Sequence, residues 1–185
     1  MASSKREQLV STALALFYRD GFHATGIDRI LAESGVAKMT LYNHFKSKDE
    51  LIIAALESRF APAAERMARA FAELPPRDAI LRVFDGLDEW LRQDEFCGCA
   101  FINAAAEFHR RDHPVHQLAA SYKAATQDYF RGALERLGVV QPERLARQLQ
   151  YLMEGAVSMA HIEGPADQAL DARDAAEQLL RAAGV

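Results

Sequence analysis

Apolar residues recur every three to four positions along most of the chain, which is the spacing of an amphipathic helix. In the first such segment the apolar face runs from Leu9 to Phe17. Ser4 and Glu7 have the spacing of a capping box, in which two side chains satisfy free backbone N–H groups at a helix start. Gly21 supplies a stop, because glycine readily adopts the conformations found beyond a helix end. The pattern therefore predicts a first helix from about Ser4 to Gly21.

Two shorter helical patterns come next. We expect Thr25 to cap a second helix. Gly35 then allows a sharp turn, and a third helix is predicted from residue 37 to residue 45. Leu41 and Phe45 lie on the buried side of that helix. Three short helices with a glycine turn between the second and the third are typical of a helix-turn-helix.

Proline and glycine divide the rest of the chain into further helical patterns. Ser47 and Glu50 form a second potential capping box, which opens a long helix that Pro62 is expected to kink or divide. The helices predicted after the third span residues 48–72, 77–93, 98–108, 114–137, 142–162 and 167–183. We find no strand-like alternation in the sequence, so we predict an all-α fold.

The amino-acid composition favours helices and indicates in which compartment of the cell the protein is expected. Alanine supplies 34 of 185 residues, and β-branched residues are sparse. No apolar run approaches the ~20 residues of a membrane span, and the first residues lack the apolar core of a signal peptide. Cys97 and Cys99 are the only cysteines, and at this helical spacing their side chains point apart, which disfavours a mutual disulfide. We predict a reduced, cytoplasmic protein with no membrane partner.

Charge is distributed unevenly along the chain. The net charge is −4, yet residues 34–48 carry three lysines, one histidine and no acidic residue. A local cationic surface on an acidic protein suits a polyanion that docks at one place. Thr25 and Lys48, at the starts of the second and fourth helices, lie beside backbone amides that favour phosphate. The third helix would turn outward a largely donor-rich set: Lys38, Met39, Thr40, Tyr42, Asn43 and His44.

Spacing alone leaves two interpretations of this segment open. One is a helix that enters the DNA major groove and reads base edges. The other is a three-helix scaffold with a solvated surface, because topology does not determine function. The donor-rich, acid-free surface favours the first.

The sequence GVAKMTLYNHFKSKDEL at residues 35–51, preceded by Thr25-Gly26-Ile27, resembles the DNA-binding segment of the TetR family of transcriptional repressors. Met39 departs from the glycine or small residue usual at its position. GCAFINAAAEF at residues 98–108 also resembles a segment found in many such regulators. The residues that match the family pattern are Gly35, Lys38, Thr40, Leu41, Tyr42, His44, Phe45, Lys46, Lys48 and Leu51.

The resemblance implies a homodimer that binds a palindromic double-stranded DNA operator, usually as a repressor, and is released by a small-molecule effector. It divides the chain into a helix-turn-helix DNA-binding domain at 1–47 and a helical ligand-binding and dimerisation domain at 48–185. Tyr42 is expected close to the operator backbone. The DNA-binding residues that it implies are Thr25, Lys38, Met39, Thr40, Tyr42, Asn43, His44, Lys46 and Lys48. No catalytic residue, cofactor or metal is expected.

Two apolar stripes near the end of the chain are candidates for the dimer contact. Spacing alone allows equally that they face the protomer's own core, whereas the resemblance favours an interface of four helices. The first stripe consists of Leu145, Leu149, Leu152, Ala156 and Met159, and the second of Ala172, Ala175, Ala176 and Leu179.

The middle helices are expected to enclose an effector pocket. Aromatic residues and methionine at helical spacing usually form ordinary core, so the polar members of the set are the more informative ones. Asn103 and Glu107 share a helix face, which either meets a ligand or polar group inside the protein or forms a solvated edge. The candidate lining residues are Phe84, Trp90, Phe101, Asn103, Glu107, Tyr122, Tyr129, Met153 and His161.

Two other classes of function stay open. A metal-dependent enzyme could use His109, His113, His116 and His161 with Glu107, but their spacing matches no compact ligand motif and favours surface and capping roles. A thiol-redox regulator could use Cys97 or Cys99, which requires an accessible and activated thiolate. Buried structural thiols are the favoured interpretation of this pair.

Overall fold

The computed structural model describes residues 4–185. Those residues form nine α-helices and no strand, so the predicted all-α fold is confirmed. The helices are α1 (Lys5–Asp20), α2 (Ile27–Ser34), α3 (Lys38–His44), α4 (Lys48–Glu73), α5 (Pro76–Leu91), α6 (Ala100–Glu107), α7 (Pro114–Arg136), α8 (Pro142–Glu163) and α9 (Gln168–Ala182). None of them is long and apolar enough to span a membrane.

Both ends of α1 follow the local signals in the sequence. The Ser4 hydroxyl accepts a hydrogen bond from the Glu7 backbone N–H at 3.2 Å, and Glu7 Oε2 accepts one from the Ser4 N–H at 2.9 Å. Gly21 ends the helix with a φ of 91°, and its N–H donates to the Phe17 carbonyl. The predicted capping box and the glycine stop are therefore confirmed.

The cap predicted for α2 is wrong. Gly26 is the N-cap of this helix, and no side chain caps it. The Thr25 hydroxyl is fully buried and donates to the carbonyl oxygen of Gly21 at 2.8 Å and of Leu16 at 3.4 Å. Because the hydroxyl is occupied at the end of α1 and shielded from solvent, it neither caps α2 nor lies where a phosphate could reach it.

Pro62 does not divide α4, which runs without a break from Lys48 to Glu73. Of the two outcomes expected at Pro62, the division is therefore wrong, and the kink stays a prediction. Proline removes one backbone donor from a helix, but the turns on either side keep their own hydrogen bonds and continue the helix.

The chain forms two compact units. The first unit holds α1, α2, α3 and α6, together with α4 as far as Ala63 and α7 as far as Tyr122. The second unit holds residues 64–99 and 123–185. The functional division predicted at residue 47 does not coincide with this division and stays a prediction.

An apolar core joins α6 to the loop after α1 within the first unit. Phe17 stacks on Phe22 with ring centroids 5.4 Å apart, and Phe22 lies 6.2 Å from Phe108, the residue that follows α6. All three side chains are buried. The loop between α1 and α2 is thus attached to a helix about eighty residues further along the chain.

The core of the second unit is built around Phe84 and Phe130, which are both fully buried and lie 6.4 Å apart. α9 packs against α5 and α8. At the rim, Arg77 pairs with Glu177 at 2.9 Å and Arg173 pairs with Asp85 at 2.7 Å, so that two ion pairs join α5 to α9.

Candidate nucleic-acid interface

Two buried side chains orient α3. Leu41 is 0% exposed and Phe45, which ends the helix, is 3% exposed. They are four residues apart and therefore lie on one side of the helix. The opposite side of α3 is consequently turned to solvent, as the sequence predicted.

The outward side of α3 carries the side chains predicted from the sequence. Met39 is 77% exposed and Tyr42 is 48% exposed, although both are large and partly or wholly apolar. Thr40 is half-buried, whereas Lys38, Asn43 and His44 are exposed. The exposure of this set is confirmed, and its contact with DNA stays a prediction.

Lys38 has an ion-pair partner within the protein. Its ammonium lies 3.4 Å from Asp28 Oδ1, on α2. Both side chains are exposed, so the pair contributes little to stability, but it directs Lys38 toward α2. Met39, Tyr42 and Asn43, at spacings of three and four residues, lie together on the side of α3 opposite Leu41 and Phe45.

The turn after α3 is held by the capping residues of α4. The Ser47 hydroxyl accepts from the Glu50 N–H at 3.2 Å, and Glu50 Oε2 accepts from the Lys46 N–H at 2.7 Å. The predicted capping box is thus present in altered form, because Glu50 accepts from the N–H of Lys46, the residue before Ser47, and not from the N–H of Ser47 itself. This pair orders the backbone at Lys46, whose own side chain is exposed.

Lys48 is half-buried and interacts with the loop between α1 and α2. Its ammonium donates to the His23 carbonyl at 3.3 Å. Burial lowers the pKa of Lys48 from its ordinary value, and the carboxylates of Glu107 and Asp49 oppose that shift. The sequence predicted a phosphate contact for Lys48 and gave no indication of this second role.

Glu107 holds the same loop from the other side. Its Oε1 accepts a hydrogen bond from the Phe22 N–H at 2.8 Å, and its Oε2 accepts one from the His23 N–H at 2.6 Å. Of the two outcomes that the sequence left open, the carboxylate meets polar groups of the protein and is not a solvated edge. Both oxygens bind backbone amides, and the place of Glu107 in an effector pocket stays a prediction.

Gly21 lies against this carboxylate. A Cβ atom at Gly21 would lie 3.1 Å from Glu107 Oε1, and the φ of 91° is itself unfavourable for any residue with a side chain. The glycine at residue 21 therefore both ends α1 and leaves room for the Glu107 carboxylate.

The aromatic residues predicted for the pocket occupy separate places in the two units. In the first unit Phe101 is buried and stacks on Tyr122 with centroids 4.0 Å apart. In the second unit Trp90 and His161 both lie against Phe96, at 5.1 and 6.2 Å. Of the others, Asn103 is half-buried in the first unit, and three lie in the second unit. Phe84 is in the core, Tyr129 packs on Phe71 at 5.6 Å, and Met153 is half-buried.

Reasoning from the sequence missed a polar cluster around Lys123. The Lys123 ammonium donates to Glu154 Oε1 at 2.6 Å and to Cys99 Sγ at 3.3 Å. Burial acts to lower the pKa of Lys123, but Cys99 and Glu154 outweigh it and raise the pKa above its ordinary value. The other oxygen of Glu154 is buried and has no hydrogen-bond partner among residues 4–185. The only signal in the sequence was a lysine within an alanine-rich helix.

The stripes predicted for the dimer divide between the core and the surface. Leu145, Leu149 and Ala156 are buried within the second unit, as the core interpretation required. Ala172 and Ala176 are buried as well. Met159, of the first predicted stripe, is exposed, and so are three large apolar residues of α8 and α9 that the sequence analysis did not include in the stripes: Tyr151, Ile162 and Leu170.

The histidines have partners of other kinds. His113 Nε2 lies 3.3 Å from Asp49, and His116 Nδ1 lies 2.8 Å from the Phe108 carbonyl. Within residues 4–185, no group of three histidine, cysteine or acidic side chains has an arrangement that could hold a metal ion.

Comparison with known proteins gives matches over both parts of the chain. Residues 9–55 match the family described as bacterial regulatory proteins, tetR family, and residues 76–178 match the C-terminal domain of LmrA/YxaF-like transcriptional regulators. The Escherichia coli K12 protein YjdC, an HTH-type transcriptional regulator, is 25% identical over 179 residues, which cover 96% of this chain and 94% of YjdC.

Two solved structures extend the likeness to the fold. SCO4454, a TetR-family transcriptional regulator from Streptomyces coelicolor, is 31% identical with a TM-score of 0.93, over 98% of this chain and 96% of that one. A candidate TetR-type regulator of Streptomyces avermitilis MA-4680, sav143, is 34% identical with a TM-score of 0.86, over 99% of this chain and all of that one. With its outward α3 and its all-helical fold, the chain belongs to the TetR family of helix-turn-helix, DNA-binding transcriptional regulators.

Proposed function

We propose that the protein is a homodimeric repressor that binds a palindromic operator through α3 and leaves it when a small molecule binds among the helices after residue 47. The observation that carries this proposal is the outward, acid-free surface of α3 in a chain of the TetR family. One recognition helix reads only a few base pairs, so two copies related by a two-fold axis are needed for a selective site.

The exposed apolar residues of α8 supply a surface for the second copy. Tyr151, Met159 and Ile162 are 67%, 42% and 73% exposed, and their spacing, with the small Gly155 between them, places them on one side of the helix. Leu170, on α9, is 42% exposed. Such a continuous apolar surface is typical of a protein interface, and a glycine at its middle allows two helices to approach closely.

The contacts of Glu107 offer a route for an effector signal. Glu107 is the last residue of α6 and holds the backbone of the loop that leads into α2. A ligand that moved α6 would act on this loop directly, besides any movement of α4. The effector must bind the two conformations with different affinity, because a ligand of equal affinity for both shifts nothing.

Selection of bound sequences from a random DNA pool tests the proposal. The expected result is an inverted repeat. Analytical ultracentrifugation of the complex should show two protein chains bound to one DNA duplex. Selection of no sequence above background, or of a single half-site bound by one chain, would overturn it.

A second candidate function has a specific observation in its favour. Lys123 donates to Cys99 Sγ at 3.3 Å, and because Cys99 is buried this candidate requires local opening that admits an oxidant. A thiol-redox regulator would use this sulfur: the thiolate attacks hydrogen peroxide, the O–O bond breaks, and a sulfenic acid and hydroxide form. Mass spectrometry after mild peroxide treatment tests this, with Cys97 as the internal control. Oxidation of Cys99 that slows in Lys123→Met supports the candidate, whereas equal oxidation of both cysteines rejects it.

A further inference from the structure

Met39 is a large apolar side chain that the fold does not use. It is 77% exposed, whereas Leu41 and Phe45 anchor the other side of the same helix and are buried. Exposed apolar side chains cost free energy in water, and Met39 is the more exposed of the two large side chains, Met39 and Tyr42, on the outward surface of α3. The position therefore suits a partner that covers it.

Asn43 lies one helical turn after Met39 on the same side. Residues four apart along a helix are neighbours, and their Cα atoms are about 6 Å apart along the helix axis. That distance corresponds to about two base-pair steps of DNA at 3.4 Å each. Lys38 is turned toward Asp28, so it does not lie between them. Met39 and Asn43 thus form a compact pair, with one apolar and one amide side chain.

The major groove offers a matching pair of chemical groups. Among the base edges exposed there, the apolar group is the C5-methyl of thymine, and adenine presents an acceptor and a donor to which asparagine can bond at two points. Both groups belong to A·T base pairs. Methionine is flexible enough to pack on a methyl group without an exact fit.

We propose that α3 reads A·T base pairs, with Met39 packed on a thymine methyl and Asn43 hydrogen-bonded to an adenine one or two steps away. The proposal rests on the proposed function as an operator-binding protein, and it states which base pairs the operator must contain where α3 binds. Met39 and Asn43 are then residues that determine specificity.

Replacement of thymine by deoxyuridine tests the role of Met39. The replacement removes the methyl group alone and keeps every hydrogen-bonding group of the base pair. With the dimer and an operator taken from the selected sequences, replacement of the contacted thymine in one half-site should lower affinity by about fourfold, which is the value of one buried methyl group, and replacement in both half-sites should lower it by about sixteenfold. Thymines in the flanking sequence serve as matched controls and should give no change.

The Met39→Ala variant completes the test. It should bind the thymine and the deoxyuridine operators with equal affinity, and circular dichroism should show the helix content of the wild type. Asn43→Ala should likewise lose its response to 7-deazaadenine, which lacks the N7 acceptor. Retention of the methyl effect in Met39→Ala, or no methyl effect at any half-site position in the wild type, would overturn the inference. Failure to bind any DNA would instead overturn the proposed function, so the two failures are distinguishable.

Discussion

Glu107 and His23 are joined at two points, through the backbone N–H and the ring of His23. Glu107 Oε2 accepts from the His23 N–H at 2.6 Å, and His23 Nε2 lies 3.1 Å from the Glu107 carbonyl oxygen. Phe108 adds a ring contact with His23 at 4.7 Å. The end of α6 is therefore attached to the loop before α2 by several contacts of different kinds, and that loop leads into the helix-turn-helix.

Removal of the Glu107 carboxylate should weaken the first unit measurably. Hydrogen bonds to charged groups contribute about 1.5–3 kcal/mol each, and partial exposure reduces this, so we expect Glu107→Ala to lower the free energy of unfolding by about 2 kcal/mol. Urea denaturation followed by circular dichroism measures it. Glu163→Ala, at the exposed end of α8, is the matched control and should change stability little. Equal stability of the two variants would contradict the role given to Glu107.

Gly21 should tolerate alanine poorly. The added Cβ would lie 3.1 Å from Glu107 Oε1, and the backbone at φ 91° and ψ 159° is in a region that almost only glycine adopts. Such strain costs on the order of 1–3 kcal/mol. Gly132→Ala, inside α7 with open space at the Cβ position, should stabilise the protein by about 0.5–1 kcal/mol. A shift of the melting temperature in the same direction for both variants would contradict this account.

Much of this architecture is local and could be read from the sequence. The starts of α1 and α4 depend on residues three apart, such as Ser4 and Glu7, and the glycine at residue 21 ends α1 by its own conformation. The outward side of α3 followed from the positions of Leu41 and Phe45 alone. In each of these cases the partners lie within one or two helical turns.

Contacts between distant segments could not be predicted in the same way. Glu107 binds backbone N–H groups 84 and 85 residues away. Every residue except proline has a backbone N–H, so the sequence does not indicate which of them a side chain will bind. Thr25 was misassigned for a similar reason, since hydroxyl donation to a carbonyl competes with capping and only the fold decides between them. Lys123 and Glu154 are each ordinary residues of an amphipathic helix until α7 and α8 bring them together.

Tyr42 should be essential for operator binding and dispensable for folding. It is 48% exposed and lies on the side of α3 away from Leu41 and Phe45, so we expect Tyr42→Ala to leave the core intact. We expect gel-shift titration of Tyr42→Ala to show no specific complex, while thermal unfolding stays as in the wild type. Tyr42→Phe separates the hydroxyl from the ring. If Tyr42→Ala retains wild-type affinity, Tyr42 has no part in the interface.

The exposed apolar surface of α8 should be needed for dimerisation. Ile162 is 73% exposed, and a glutamate there would place charge inside the proposed interface, where its desolvation is costly. We expect Ile162→Glu to sediment as a monomer and to lose binding to the palindromic operator. Val140→Glu, which changes a 94% exposed residue between α7 and α8, should stay dimeric. If the Ile162→Glu protein is dimeric, the dimer interface does not include Ile162.

Binding should depend steeply on salt, and Lys46 should account for part of the slope. Its side chain is exposed beside α3, and the Glu50 contact orders its backbone. Each lysine that neutralises a phosphate releases counterions, so the logarithm of affinity falls with the logarithm of salt concentration by about 0.9 per contact. Because a homodimer carries two copies of Lys46, Lys46→Gln should reduce the slope by about 1.8 and weaken binding to different DNA sequences to a similar extent. Arg82→Gln, on the surface of α5 beside Glu89, removes the same charge and should leave the slope unchanged. If both variants reduce the slope equally, net charge alone sets the salt dependence and Lys46 makes no phosphate contact.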